Sequence, residues 1–392
     1  MTNRSRWAPS RTTEWRAFQL ADDRIPLNHG SYGAIPRAVQ DAQTRWRTHI
    51  ESDPTSFFQN ELPHLLREQA EYVAARFGGA GRDWVFCENA TAAVNGVLAS
   101  LPLAPGDEIV TTSHVYGAVL KAMRLCAARR GAKLVIAELP PIAESDEAIV
   151  DAIARSLTAR TRLLVVDHIT SATATVFPVA AIVARAKAAG VPVLVDGAHA
   201  PGQVPLDVPG LGADWYTGNA HKWLFAPRGC GILWTAPARQ GETRPPVLSH
   251  GTEAGYTEAF DWIGTRDVTP WLVFEDAARA HDSFGGAGLM AANRKKAADG
   301  AALICEALGA VCAAPPAMRA AMTTILLKEN GADEALQSRL RQALWKEYRV
   351  IAPVSLFAGR LWLRVSAQVY NHPDDYRICR DAILELRSRF FN

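Results

Sequence analysis

A series of short, uninterrupted apolar segments in the middle of the chain constrains the fold more than any other sequence feature. The segments alternate with helical patterns, so residues 108–199 run strand, helix, strand, helix. The apolar segments are EIVTT, KLVIAEL, RLLVVDH and VPVLVDGAH, and the helical patterns cover 118–130, 147–157 and 179–190. LLVVD and VLVD are apolar throughout, as strands buried on both faces are. This order predicts a mainly parallel sheet covered by helices on both faces.

The pattern changes after about residue 245. Pro245 and Pro246 open an irregular segment that extends to Thr269, and an alanine-rich helical stretch follows from 271 to about 310. The pattern ends with the apolar segment MTTILL, a helix near 333–346 and the apolar segment RLWLRVS. These elements predict a smaller α+β domain at the C-terminus.

Composition excludes several protein classes. The chain has 392 residues and a formal net charge of +2, and it has no apolar run of the roughly 18 residues that span a bilayer. Its first residues, MTNRSRWAPSRTTEW, lack the apolar core of a signal peptide. Six cysteines form no CxxC pair, which is typical of reduced thiols. We therefore expect a cytoplasmic protein with neither nucleic acid nor a membrane as partner.

Nucleotide- and metal-binding motifs are absent from the sequence. There is no GxxxxGKS/T motif, no strand followed by GxGxxG, and no HExxH motif or paired-carboxylate cluster. We therefore expect neither a nucleotide-binding loop nor a metal site.

Two motifs place polar groups where parallel sheets bind ligands. The strand in VLVDGAHAPG ends at Asp196, at the sheet edge where open α/β proteins bind ligands, although a carboxylate there can also cap a helix. In ENATAAVNGV, Asn89 precedes a helical pattern as an N-cap. The N–H groups of Ala90 and Thr91 and the Thr91 hydroxyl would then form an anion site, with simple helix capping as the alternative.

A lysine in aromatic surroundings follows these motifs. Lys222 lies in GNAHKWLF, within a segment that contains aromatic residues from Trp215 to Phe225. A desolvated lysine has a lowered pKa and can form a Schiff base, whereas a lysine that extends its amine to solvent has no such role. The anion site, the aspartate and the lysine match the phosphate, the ring nitrogen and the aldehyde of pyridoxal 5′-phosphate (PLP).

The joint order of the motifs resembles the class V aminotransferase family of PLP enzymes, in its isopenicillin N epimerase-like branch. The matching segments are LNHGSYG, ENATAAVNGV, VDGAHAPG, GNAHKW, APRGCGILW, GTRD and RVSAQVYN. The resemblance implies an α/β protein with the fold type I of PLP-dependent transferases. It also implies an N-terminal segment (1–25) that packs on the small domain, a large PLP-binding domain (26–250) and a small α+β domain (251–392).

The resemblance implies a role for each matching residue around the cofactor. Lys222 matches the lysine that forms the internal aldimine, and Asp196 the aspartate that keeps the pyridinium nitrogen protonated. His199 and Ser171 match residues near the ring hydroxyl. The phosphate is expected to contact Ala90, Thr91, Asn219, His221 and, from the neighbouring subunit, Thr265.

Further matching residues are expected on the ring face and at the substrate. Tyr116 is expected to stack on the cofactor ring, with His114 as the alternative. Arg364 matches the arginine that binds the substrate α-carboxylate, a bidentate contact that suits a guanidinium. Asn28 and His29 match the segment that lines the substrate pocket. The resemblance also implies a homodimer with active sites at the interface and a small amino-acid substrate.

One departure from the related cysteine desulfurases narrows the set of reactions that we expect this chain to catalyse. Those enzymes carry a nucleophilic cysteine shortly before the carboxylate-binding arginine, but residues 313–364 contain no cysteine. Epimerisation, transamination and Cβ–S lysis of the ergothioneine-pathway type remain open. The isopenicillin N epimerase-like activity is the primary interpretation, a C–S lyase acting on a cysteine conjugate is the alternative, and a non-catalytic PLP-fold binding protein is the third.

Overall fold

A computed structural model describes residues 9–391 of the chain, and its strands form three sheets. The strands are β1 (Ile25–Pro26), β2 (Trp84–Cys87), β3 (Glu108–Thr112), β4 (Lys133–Ala137), β5 (Thr161–Asp167), β6 (Val193–Gly197), β7 (Trp215–Asn219), β8 (Gly231–Thr235), β9 (Met322–Lys328), β10 (Val350–Ile351), β11 (Val354–Phe357) and β12 (Arg360–Ser366). The largest sheet has the order β2-β8-β7-β6-β5-β3-β4, and β8 is the strand that runs antiparallel to its neighbours.

Helices cover both faces of this sheet and surround the smaller ones. They are α1 (His29–Tyr32), α2 (Arg37–Ser52), α3 (Pro54–Ser56), α4 (Leu62–Phe77), α5 (Ala90–Ser100), α6 (Gly117–Arg130), α7 (Asp146–Ser156), α8 (Val179–Ala188), α9 (Val208–Leu211), α10 (Ala220–Trp223), α11 (Tyr256–Asp261), α12 (Thr269–Leu272), α13 (Phe274–Ser283), α14 (Ala287–Leu308), α15 (Glu334–Glu347) and α16 (Pro373–Phe390). No helix within residues 9–391 is long and apolar enough to cross a membrane.

The middle of the chain confirms the predicted parallel sheet. Along β5, Leu164 and Val166 enter one hydrophobic core while Leu163 and Val165 enter a second one, so the strand is buried on both faces. This double burial explains the uninterrupted apolar segments, because a strand with one wet face would alternate apolar and polar residues. Helix α8 ends before Gly190, whose φ of +70° is the predicted left-handed cap.

The C-terminal part forms a separate core around an antiparallel sheet of order β11-β12-β9, packed with α14, α15 and α16. The predicted single helical stretch over 271–310 is wrong, because the chain breaks into three helices. Gly285 and Gly286, with φ of +116° and +53°, separate α13 from α14 in conformations that favour glycine. Helices α12 and α13 pack with α2 and α4, so the large core continues past the predicted boundary at residue 250.

The N-terminal segment contacts both parts of the molecule. Strand β1 pairs with β10 of the C-terminal part, and Phe18 packs against Phe225 and Tyr370. Residues 1–8 of the predicted segment lie outside the described residues. The segment therefore links the C-terminal part to the large domain through these contacts.

Candidate active site

A cavity of about 420 Å³ lies at the carboxyl edge of the large sheet, where parallel strands bring their last residues together. Nine of the predicted site residues line it: Ala90, Thr91, Tyr116, Ser171, Asp196, His199, Asn219, His221 and Lys222. The sequence prediction missed five further lining residues: Ser31, Tyr32, Asn89, Asp167 and Ala198.

Lys222 lies in α10, which begins directly after β7, so its amine reaches the strand edge. Its Nζ is 3.1 Å from Nε2 of His199, and the Lys222 backbone carbonyl accepts a hydrogen bond from Nε2 of His29 at 2.8 Å. Burial, together with the charge of Arg364, lowers the pKa of Lys222 to about 8. A substantial share of the amine is therefore neutral near pH 8, as a nucleophile or proton acceptor must be.

Two buried carboxylates face the lysine from neighbouring strands. Asp167 ends β5 beside Asp196 of β6, and the two are paired in register. Burial raises the pKa of Asp196, and burial together with the charge of Asp196 raises that of Asp167. Asp196 Oδ1 accepts the N–H of Ala198 at 3.0 Å, but Asp167 Oδ2 has no hydrogen-bond partner in the described structure. Such a pair favours a cation or a shared proton between the strands.

The sequence contains a signal for Asp167 that is equivalent to the one for Asp196. RLLVVD, like VLVD, ends an apolar strand in an aspartate. Because β5 and β6 are adjacent and parallel, their terminal carboxylates had to lie at the same edge.

The predicted anion site is assembled differently from the expectation. The N–H of Ala90 donates to Oδ1 of Asn219 at 2.8 Å, and Asn89 caps α5 by accepting the N–H of Ala92 at 3.0 Å. Thr91, in the first turn of α5, lines the cavity. His221 donates from Nδ1 to the carbonyl of Cys230, and burial lowers its pKa to about 4. An anion bound here would favour protonated His221.

Only one of the two candidate stacking residues lines the cavity. Tyr116 stands at its wall, 45% exposed, just before α6. His114 is buried away from it, because its ring nitrogens contact the Thr173 hydroxyl at 2.9 Å and the Pro140 carbonyl at 3.0 Å. Its ring also packs edge-on against Phe357. The geometry favours Tyr116 as the residue on the cofactor face.

Arg364 lies directly behind the cavity wall, in β12. It is 5% exposed, and it donates from Nη1 to the Ser171 carbonyl at 2.6 Å and from Nη2 to the Ser31 hydroxyl at 3.0 Å. Asn28 Oδ1 accepts from Nη2 at 3.4 Å. Arg364 forms no ion pair among residues 9–391, its Nε has no partner there, and burial lowers its pKa to about 10. A buried guanidinium without a counter-ion favours an incoming carboxylate.

Besides His114, Asn28 and Arg364, two more predicted site residues lie outside the cavity. His29 sits behind Lys222, with Nδ1 2.8 Å from the Tyr370 hydroxyl and its ring packed near Trp223. It holds the backbone of the lysine and does not line the substrate space. Thr265 is exposed in the loop before α12, next to Arg266, which pairs with Glu88.

The residues of the cavity fit PLP. The buried carboxylate of Asp196 suits a protonated ring nitrogen, the buried lysine suits the aldehyde, and the start of α5 suits the phosphate. All three groups line the same cavity.

Comparisons with known proteins agree with this assignment. The profile of the family described as "Aminotransferase class-V" matches residues 34–342. The chain is 32% identical to the putative L-cysteine desulfhydrase 1 of Oryza sativa subsp. japonica, over 92% of this chain and 82% of the relative. It is 31% identical to the isopenicillin N epimerase of Streptomyces clavuligerus, over 94% of this chain and 97% of that enzyme.

A solved structure shows the same fold. The C-DES variant with glycine covalently linked to its PLP cofactor superposes with a TM-score of 0.78 at 22% identity, over 97% of this chain and 99% of that one. The fold type I prediction is therefore confirmed. The chain belongs to the class V aminotransferase family and is a PLP-dependent enzyme of that family.

Proposed function

We propose that this enzyme removes and returns a proton at Cα of an amino-acid substrate, as in epimerisation. The observation that carries the proposal is Arg364, a buried guanidinium without a counter-ion beside a cavity that holds Lys222. An amino acid supplies the missing carboxylate and, next to it, the Cα–H bond.

The cofactor would be held by residues of the cavity floor and walls. Lys222 would bind the aldehyde, Asp196 the ring nitrogen, and Tyr116 the ring face, while His199 and Ser171 would contact the ring hydroxyl. The start of α5, with Asn219 and His221, would hold the phosphate. Bound PLP supplies an electron sink for the negative charge that develops at Cα.

Lys222 is the group that we assign to proton transfer. Its Nζ is buried at the cavity, 3.1 Å from Nε2 of His199, and a pKa near 8 suits an amine that accepts a proton and gives it back. Arg364 would fix the carboxylate and so orient the Cα–H bond, while Asn28 and Ser31 hold the guanidinium.

A C–S lyase is the second candidate. The same Cα proton removal precedes loss of sulfur from Cβ, and a desulfhydrase and an epimerase are equally similar to this chain, at 32% and 31% identity. The two functions differ in the substrate, because elimination needs a leaving group on Cβ.

Proton exchange separates the outcomes. Holoenzyme would be incubated in D₂O with a panel of L-amino acids and cysteine conjugates, followed by NMR of the Cα–H signal, chiral analysis, and assays for pyruvate and sulfide. We expect deuterium at Cα and formation of the D-isomer. Pyruvate and sulfide from a cysteine conjugate would establish the lyase instead, and absence of exchange with every amino acid would refute the proposal.

We also propose a homodimer with shared sites. Thr265 is exposed and lies outside the cavity of its own chain, which supports the implied contact with the phosphate of a second subunit. Mixing inactive Lys222→Ala protein with a Thr265→Val variant of low activity should restore part of the activity, since one hybrid site is intact. Full activity of a sedimenting monomer would contradict the dimer.

A cytoplasmic location is proposed from the cysteines. All six are free, and the sulfurs of Cys305 and Cys312 lie 3.5 Å apart, so an oxidising compartment would favour their pairing. Mass spectrometry of protein alkylated at cell lysis should show six alkylated cysteines per chain, and four would contradict the location.

A further inference from the structure

A second cleft of about 550 Å³ opens beside the cofactor cavity. Ser31 and Tyr32 line both spaces, so the cleft continues from the substrate side of the cavity. The opposite wall is formed by α15 and by the chain from Val350 to Val354. The backbone N–H of Arg364 donates to the Pro353 carbonyl in that wall at 3.0 Å. Asn28 and Ser31, which accept hydrogen bonds from Nη2 of Arg364, also line the cleft. The cleft therefore adjoins the arginine that we assign to the substrate carboxylate.

The cleft combines two cations with apolar surface. Arg341 and Lys346 of α15 line it, and neither forms an ion pair with a described residue. Its lining residues, all of them described, include no aspartate or glutamate. Trp345, on the same helix, is 52% exposed and Tyr32 is 70% exposed. Large exposed aromatic surface beside unpaired cations is typical of a surface that receives a ligand with an apolar part and an anionic end.

We propose that this cleft binds the side chain of an extended amino-acid substrate that ends in a carboxylate. The proposal rests on the function proposed above and adds the substrate class. A side chain that leaves Cα past Ser31 enters the cleft between Tyr32 and Trp345, and its terminal carboxylate meets Arg341 and Lys346. A substrate as short as cysteine would leave the cleft unused.

Matched substrates test the proposal. The holoenzyme would be assayed for Cα deuterium exchange with γ-L-glutamylglycine and γ-L-glutamylglycylglycine, each against its C-terminal amide, and with L-alanine as the short reference. We expect kcat/KM to favour at least one carboxylate over its amide by about threefold to tenfold, through KM, because exposed charge pairs contribute little each. High salt should reduce the preference.

Variants on one helix provide the control. The double substitution Arg341→Gln with Lys346→Gln should reduce the carboxylate-to-amide ratio to about one. Arg339→Gln, which removes an exposed arginine of α15 that packs over Phe390 outside the cleft, should leave the ratio unchanged. Equal kcat/KM for acid and amide at both lengths, or a ratio insensitive to the double substitution, would overturn the proposal.

A binding measurement separates this proposal from the proposed function. Calorimetry with Lys222→Ala protein should show tighter binding of the acid than of its amide, and the double substitution should remove the difference. If L-alanine exchanges while acid and amide bind alike, the cleft proposal fails alone. If no amino acid exchanges although the acid binds more tightly, the proposed reaction fails and the cleft stands.

Discussion

The floor of the cofactor cavity and the adjoining cleft both carry charge, but they hold it in opposite ways. On the floor, Asp167, Asp196 and Lys222 are desolvated at the ends of buried strands, and their pKa values are shifted. In the cleft, Arg341 and Lys346 project from an exposed helix face into water. Charges act strongly where water is excluded and weakly where it screens them. The chemistry is therefore placed on the floor, and selection among substrates in the cleft.

The largest effect should follow from loss of the floor lysine. Lys222→Ala should lower kcat by about 1,000-fold or more, because none of the described residues that line the cavity then carries an amine to move the proton. Lys187→Ala, which removes an exposed lysine on α8, is the matched control and should retain activity. Circular dichroism would show that both variants fold. Substantial turnover by Lys222→Ala would show that catalysis does not depend on the floor lysine. It would contradict the division of roles between the floor and the cleft.

The two floor carboxylates should respond differently to the same substitution. Asp196→Asn should lower kcat by about 100-fold to 1,000-fold, since an amide cannot stabilise a protonated ring nitrogen. Asp167→Asn should lower it by about tenfold or less, because burial beside Asp196 already favours the neutral form of Asp167. Steady-state kinetics on both variants checks this. If Asp167→Asn is the more damaging change, the assignment of the charged carboxylate is wrong.

Arg364 lies between the two regions and should have an intermediate effect. Arg364→Lys should lower kcat/KM by about 10-fold to 150-fold, or about 1.5–3 kcal/mol, because an ammonium cannot make the bidentate contact. The loss should appear with amino acids and not with the corresponding amines. Equal losses with both, measured by substrate-induced absorbance changes of the cofactor, would show that Arg364 acts only on the structure.

The smallest predicted effect is on the pH dependence of stability, and it comes from the burial of His114. Burial lowers the pKa of His114 to about 4, from about 6.5 in an unfolded chain. The unfolded state binds more protons between these values, so His114 favours unfolding as the pH falls below 6.5. Between pH 7.5 and 5.5, wild type should lose about 1 kcal/mol more stability than His114→Asn. Urea unfolding at both pH values measures this, and identical pH dependence of the two proteins would contradict it.

The sequence predicted the floor better than the cleft, for a physical reason. The strands that end at Asp167 and Asp196 appear as apolar segments because both of their faces are buried. Local pattern therefore locates the sheet edge, and with it the strand-end residues. The prediction missed the break at Gly285–Gly286 because the alanine-rich sequence on both sides is helical, although two consecutive glycines are a local turn signal.

Contacts between distant segments account for the other differences. The Ala90 N–H donates to Asn219, which is 129 residues away in the sequence, and His29 donates to the Lys222 carbonyl, which is 193 residues away. The cleft likewise joins Tyr32 to Arg341 and Trp345. No periodic pattern in a single sequence records such pairs, so the roles of His29 and of the cleft residues emerge only from the folded chain.

The central claim is that Lys222 carries the cofactor on the floor of this cavity. Reduction of the purified holoenzyme with borohydride, followed by peptide mapping by mass spectrometry, tests it directly. We predict one pyridoxyl-phosphate group per chain, on the peptide that contains Lys222, and none on that site after prior release of the cofactor by excess amino-acid substrate. A pyridoxyl group on another lysine, or an unlabelled chain, would contradict the account.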